Sequence, residues 1–445
     1  MNFSEIKKVI SDAAKATGID EYDVYYSVSS DISAETLKSE ISGFSSSESI
    51  GIGFRCIVDG KFGQASCEYI TKSELENLVL KAYDNAKYIE SDDESIIYSG
   101  AESYKEVCGD CFDLPGAGDI RNVALAIQKR SYEENSLVVD GTQSSAGACK
   151  VEVHMFNSYG LELHKTGGCV SYGSYPVVSN GNESEDSYET KMSKTFDNID
   201  EVARVAVEKA VCKLGSDSIP GGKYNIVLSG KKFATFLAEF SGCFSAKNVK
   251  LGLSALKGKI GEKVASDIIT IVDDPFSAEL MAQNPFDGEG VATYTKNVIE
   301  NGVLKTYFYD LAMAKHFGVA PTGNASRGYS SPVAISPYFL YVKPGNKKFD
   351  ELIKDVGEGI YVTELKSFSA SNAVTGDFSI ESCGYRISGG KLGEYVKSFT
   401  IAGNFFELIK NVEDISNELE VKHNGIFRGY AAPAIFVKNI SVAGK

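Results

Sequence analysis

Apolar residues recur with two different periods along this chain, and those periods sort it into elements. Near the start, Ile6, Val9, Ile10, Ala13 and Ala14 fall on one side of a helix. Residues 22–30 and 34–41 then alternate as strands, and residues 49–58 and 61–69 pair across Asp59-Gly60, a dipeptide suited to the tight turn of a hairpin. A helix over 73–89 closes this unit. Beyond an acidic connector, the pattern predicts a helix over 119–134, β-rich sequence with glycine-rich turns over 137–178, a polar loop over 180–187 and a helix over 199–214.

The pattern is sharpest over residues 223–275. A strand over 224–228 is bounded by Pro220, Gly221 and Gly222 on one side and by Ser229 and Gly230 on the other. Phe233, Phe236, Leu237, Phe240 and Phe244 then follow at i, i+3, i+4, i+7 and i+11, the apolar stripe of a helix with Ser229 as its cap. Lys232, Thr235, Glu239 and Ser245 lie opposite, and Gly242 interrupts the run at a cost of roughly 1 kcal/mol relative to alanine. Further on, residues 294–299 and 303–309 flank Asn301-Gly302 as a second hairpin, a short helix covers 310–317, and five later β-rich runs complete a largely antiparallel region. The reading is an α+β, multi-domain chain with mixed and antiparallel sheets, flanking helices and a β-rich C-terminal domain. Its expected parts are an N-terminal α+β domain (1–90), an acidic connector (91–118), a central α+β domain (119–216) and the β-rich domain (220–445).

Composition narrows the function classes. A chain of 445 residues is too long for one ordinary core, and 43% hydrophobic with 24% charged residues is a globular balance. A net charge of −15 repels polyanions, and no basic stripe offsets it, so direct nucleic-acid binding is excluded. No apolar run approaches the ~20 residues that span a bilayer. Nine scattered cysteines suggest free thiols in a reducing, cytoplasmic setting.

Several small motifs invite chemistry and carry little of it alone. Gly51-Ile52-Gly53 lacks the third glycine and the strand-to-helix setting of a dinucleotide loop, and reads as hairpin glycine. Cys108-Gly109-Asp110-Cys111 has no second cysteine pair and no redox setting. His154 and His164 sit on consecutive strands and can face one another, but without a carboxylate or thiolate in register they read as ordinary sheet residues. The loop from Pro321 through Thr322, Gly323 and Asn324 to Arg327 can present backbone donors and one guanidinium to a peptide or a partner surface. Four histidines and no GxSxG elbow leave a serine hydrolase without support. Cys243 beside Glu239 has no evident histidine partner and reads as a buried structural thiol, and Glu239 as a solvated or hydrogen-bonded helix residue.

The run Ala238-Glu239-Phe240-Ser241-Gly242-Cys243 resembles one segment of a known family, and other matches follow in that family's order. They are Gly258-Lys259-Ile260-Gly261-Glu262-Lys263-Val264, Val272-Asp273-Asp274, Asp287-Gly288-Glu289-Gly290, Ile299-Glu300-Asn301-Gly302-Val303-Leu304 and Pro321-Thr322-Gly323-Asn324 with Arg327. Gly359-Ile360-Tyr361-Val362-Thr363, Thr375-Gly376-Asp377-Phe378 and Ser441-Val442-Ala443-Gly444 complete the series. Together they span the chain and resemble the TldD/PmbA family, whose members are often labelled modulators of DNA gyrase.

The resemblance implies two branches. The TldD branch carries His-Glu-x-x-x-His on this helix, two zinc ligands and a glutamate, with a third ligand from a cysteine near the C-terminus. Here Ala238 and Cys243 stand at the histidine positions, Glu239 and Gly242 are kept, and no cysteine follows Cys383. Residues 419–425, where the family's cysteine should fall, offer only Glu420 and His423. A zinc site of this kind needs three protein ligands and an open position for water. The chain therefore resembles the PmbA (TldE) branch: no metal or cofactor of its own, zinc in a TldD-type partner, and a non-catalytic place in a complex that degrades unfolded peptides. A homodimer when alone, or a self-associating peptide-binding protein without peptidase role, is the alternative; an independent metal-free enzyme is the least supported class.

Overall fold

The computed structural model describes residues 1–90, 94–107 and 112–444. Cys108 and Cys111 lie outside the described residues.

The first helix, α1 (Phe3–Thr17), buries Ile6, Ile10 and Ala14, as the spacing requires. Two long strands follow, β1 (Glu21–Leu37) and β2 (Glu40–Val58), then β3 (Lys61–Cys67) and α2 (Lys72–Tyr88). After the connector come α3 (Ala117–Glu134), β4 (Gln143–Asn157), β5 (Glu162–Tyr175), a strand at Glu189–Ser193 and α4 (Ile199–Lys213). The strands form a single antiparallel sheet in the order β3, β2, β1, β4, β5, Glu189–Ser193. This corrects the expected boundary between 1–90 and 119–216, because β1 pairs with β4 from Asp23↔Asn157 to Leu37↔Gln143. Neither half buries both sides of its strands alone, so one sheet serves both.

Strand alternation then divides that sheet between two neighbours. On one face α1 and α2 cover Val24, Phe54 and Phe156, while α3 and α4 cover Ala146, Ala148 and Tyr172. The opposite face meets the C-terminal region: Val153 and Met155 pack on Phe286, and Cys169 packs on Ala282 and Ile426.

The C-terminal region builds two six-stranded sheets. One joins Lys391–Asn404, Asp377–Ser388, Gly359–Leu365, Gly222–Leu228, Ile435–Ala443 and Val412–Ile415 in that order, and Lys391–Asn404 also pairs with Ile435–Ala443, closing five strands into a barrel-like ring. The other runs Val303–Leu304, Lys296–Glu300, Ile271–Asp273, Phe339–Val342, Gly429–Ala432, Glu420–His423. Pairing is antiparallel except for Gly222–Leu228 with Gly359–Leu365 and Phe339–Val342 with Gly429–Ala432. The Asp59-Gly60 and Asn301-Gly302 turns both take positive φ at each residue, the backbone that a two-residue hairpin needs.

Candidate functional site

The strand Gly222–Leu228 delivers the chain to the helix Gly230–Phe240, which buries Phe233, Phe236, Leu237 and Phe240. Phe236 meets Phe368 and Phe378 edge-on at 5.1 and 5.0 Å, and Phe240 stacks on Phe405 at 4.6 Å. These aromatic pairs fix the helix's rotation, and with it the side on which residues 238 and 239 emerge. Ser229 occupies the cap position but its side chain caps nothing. The backbone N–H groups of Gly230 and Lys231 instead donate to the Glu420 carboxylate, at 3.2 and 3.1 Å. A distant carboxylate thus meets the positive end of the helix.

The helix stops at Phe240, two residues before Gly242, and a tight turn over Ser241–Phe244 follows. The expected helical run through Phe244 is shortened there. Gly242 has an ordinary negative φ, and its carbonyl accepts a 2.9 Å hydrogen bond from Asn248 Nδ2. A Cβ at Gly242 would stand 3.4 Å from that same nitrogen, so packing does not by itself demand glycine.

The motif positions are chemically quiet. Ala238 is half-buried and carries no donor atom. Glu239 is exposed and accepts a 2.7 Å hydrogen bond from Ser371 Oγ. Cys243 is only 1% exposed, and burial pushes its thiol far above the ordinary range, so the thiolate that would bind a metal is disfavoured. Glu420 is committed to the far end of the helix. His423 lies on the strand Glu420–His423, with its Nδ1 buried and unpartnered among the described residues. Among those residues no three ligand-type side chains converge at this helix.

The second expected site, the loop through Arg327, is turned inward. Thr322 Oγ1 donates to the Tyr309 carbonyl and accepts from the Tyr309 N–H. Asn324 is fully buried and donates to Asp273 and to the Ser336 carbonyl. Gly323 takes a left-handed φ of 67°, and a Cβ there would stand 2.8 Å from the Ala292 carbonyl oxygen. The Arg327 side chain is 3% exposed and pairs with Asp23 at 2.8 Å. The expectation that these groups lie open to a peptide is corrected: they point into the seam between the sheet and the C-terminal region, where the Thr322 hydroxyl and Asn324 amide are bonded and Arg327 Nε is buried without a hydrogen-bond partner among the described residues.

That seam contains residues the spacing arguments passed over. Asp23 is forked by Arg55 and met by Arg327, and Arg55 reaches Glu289 at 3.4 Å. Burial pulls the Asp23 carboxyl upward, but the Arg327 and Arg55 guanidiniums outweigh it and hold it below the usual carboxylate range. Asp273 accepts from the Tyr338 and Phe339 N–H groups, from Asn324 Nδ2 and from Lys296 Nζ. Asp287 accepts the N–H groups of Glu289, Val291 and Ala325, though burial still lifts its carboxyl to about 6. Lys165 Nζ donates to Asn284 Oδ1 and the Phe286 carbonyl and faces the Phe286, Phe427 and Tyr338 rings at 4.9, 4.9 and 5.8 Å. The signal was present in the Val272-Asp273-Asp274 and Asp287-to-Gly290 motifs, whose carboxylates each need several donors.

The comparisons agree with this architecture. Residues 221–444 match the family model described as the PmbA/TldA metallopeptidase C-terminal domain, and residues 22–86 match PmbA/TldA metallopeptidase domain 1. An uncharacterized protein of Methanocaldococcus jannaschii is 31% identical over 399 residues, covering 88% of this chain and 90% of its own length. The metalloprotease PmbA of Escherichia coli O157:H7 is 22% identical over 416 residues, covering 91% of this chain and 89% of its own. Among solved structures, TldE of Thermococcus kodakarensis superposes with a TM-score of 0.90 at 23% identity, over 99% of this chain and all of that one. A Thermotoga maritima protein whose label links it to DNA gyrase gives the same TM-score at 25% identity, with the same coverage. The helix, the two C-terminal sheets and the shared N-terminal sheet are thus those of a known lineage, and the chain belongs to the PmbA/TldA metallopeptidase family.

Proposed function

We propose that this chain is the metal-free subunit of a TldD-type zinc peptidase, working in the cytoplasm as one half of a heterodimer whose other half carries the zinc. One observation carries the reading: at the position of a zinc-binding helix, Ala238 offers no ligand and Cys243 is a sealed, protonated thiol. A water-activating glutamate needs a metal-bound water, and Glu239 is instead hydrogen-bonded to Ser371. Without the histidines the helix is packed, and among the described residues no other set of ligand-type side chains stands beside it.

The subunit's contribution would be architectural and substrate-facing. Glu420–His423 is the outer strand of its sheet and runs beside the motif helix. An extended peptide could add along that edge by main-chain hydrogen bonds and be held near a catalytic centre in the partner.

Assays on the purified chain alone test the non-catalytic part. The expected result is no hydrolysis of casein-like substrates with or without added zinc. Chelator-sensitive cleavage by this chain by itself would overturn the reading.

A further inference from the structure

The family motifs leave one cluster of metal-ligand side chains unused, on the N-terminal sheet. β4 and β5 set His154 directly opposite His164. The two-residue repeat of a strand puts Glu152 on the same face as His154, supplying the carboxylate that sequence spacing had not placed in register. The imidazole rings stack with centroids 4.2 Å apart and planes 28° from parallel. One ligand atom from each of Glu152, His154 and His164 lies within 4.8 Å of the other two.

Among the described residues neither imidazole has a hydrogen-bond partner. His154 packs on the rings of Phe3 of α1 at 4.5 Å and Tyr26 of β1 at 5.9 Å, and the Glu152 and Glu162 carboxylates act on it. Glu152 and His154 are half-buried and His164 is exposed, so the set is reachable from solvent yet backed by a rigid sheet. Donors about 2.0–2.2 Å from one zinc stand roughly 3–3.6 Å apart, so closing on an ion asks each side chain to move by about an ångström. Exposed His164 can supply most of that movement by rotamer change.

We propose that Glu152, His154 and His164 form a binding site for a divalent transition cation, with zinc the best match to two imidazoles and one carboxylate and with water completing the coordination. The donor set excludes calcium and magnesium, which take oxygen ligands, and suits zinc, nickel or copper. Its consequence is a clip joining β4 to β5 beside α1. The site lies on a different domain from the motif helix, and the proposal does not depend on the role given to that helix.

The test uses the full chain, stripped with chelator and desalted, then titrated with zinc by calorimetry and with cobalt in the visible range. One ion per chain at micromolar affinity or tighter is expected, with a thermal midpoint that rises with zinc. His164→Ala, which removes an exposed side chain and spares the core, should weaken binding by ~100-fold or more and abolish the thermal response, the order of loss seen when ligand support is removed. His316→Ala, an exposed histidine on another domain, should change neither. Absence of binding tighter than millimolar, or binding undiminished in His164→Ala, overturns the proposal. If binding persists in His164→Ala but is lost in Cys243→Ala, the ion sits at the motif helix, and the metal-free reading of that helix fails as well.

Discussion

Arg327 and Asp23 stand 304 positions apart in the chain, yet their side chains meet at 2.8 Å in the buried seam between the C-terminal region and the first strand. Asp23 also carries the Arg55 fork, so a single carboxylate bridges two guanidiniums that repel each other. Asp23→Ala is expected to cost about 3–5 kcal/mol, because it leaves buried cations facing one another with only Glu289 nearby. Arg327→Met should cost less, since the Asp23–Arg55 pair survives it. Urea unfolding of the two variants checks the order; Asp23→Ala within about 1 kcal/mol of the parent would contradict it.

Gly53 makes the same seam possible by having no side chain. A Cβ there would collide with the carbonyl oxygen of Tyr329, and one at Gly51 would enter the Tyr329 ring. Gly53→Ala is expected to destabilise by about 1–3 kcal/mol or more, as overpacking against backbone does. Gly43→Ala, on the same strand but with only the Glu35 side chain nearby, should be close to neutral. Equal thermal midpoints for the two variants would show that the Tyr329 segment yields.

Lys165 predicts a pH dependence. Burial, reinforced by Arg428 and opposed by Asp287, draws its ammonium down to about 7, against an ordinary 10.5. A depressed folded value means that its contribution to stability is complete above the unfolded value and is lost as the pH falls towards 7. Between pH 7 and 9.5 the parent should therefore gain roughly 2–3 kcal/mol relative to Lys165→Met, with the aromatic rings around the ammonium trimming the full linkage value. Urea midpoints of both proteins at the two pH values measure this; parallel shifts would mean that Lys165 stays charged throughout.

Periodicity and turn chemistry made much of the fold legible in advance. The α1 stripe, the two hairpin dipeptides and the aromatic stripe of the motif helix are local signals; the first two formed where they were read, and the third formed as far as Phe240. The unity of the N-terminal sheet was not legible, because the pairing of Asp23 with Asn157 is a contact between distant segments with no local trace. Polar residues misled in two places. The expected strands over 34–41 and 49–58 left the serine-rich residues between them unassigned, yet these continue β2 on an exposed face, and Lys38-Ser39, inside the expected 34–41 strand, turns the chain with positive φ despite having no glycine, held in part by Gln128 from α3. Arg327 looked free because a sequence does not display which carboxylate will bury it. That Ala238 carries no donor atom, by contrast, is read directly from the sequence, since ligand chemistry is a property of the side chain itself.

One mixing experiment tests the subunit role most directly. This chain and a TldD-type protein with an intact His-Glu-x-x-x-His are combined at micromolar concentration, separated by size exclusion, and each fraction is assayed for peptide cleavage with and without chelator. The expected result is a shared peak carrying chelator-sensitive activity that the TldD-type protein shows weakly or not at all alone. Separate elution, with the TldD-type protein fully active by itself, would contradict the subunit role and favour a self-associating peptide-binding protein.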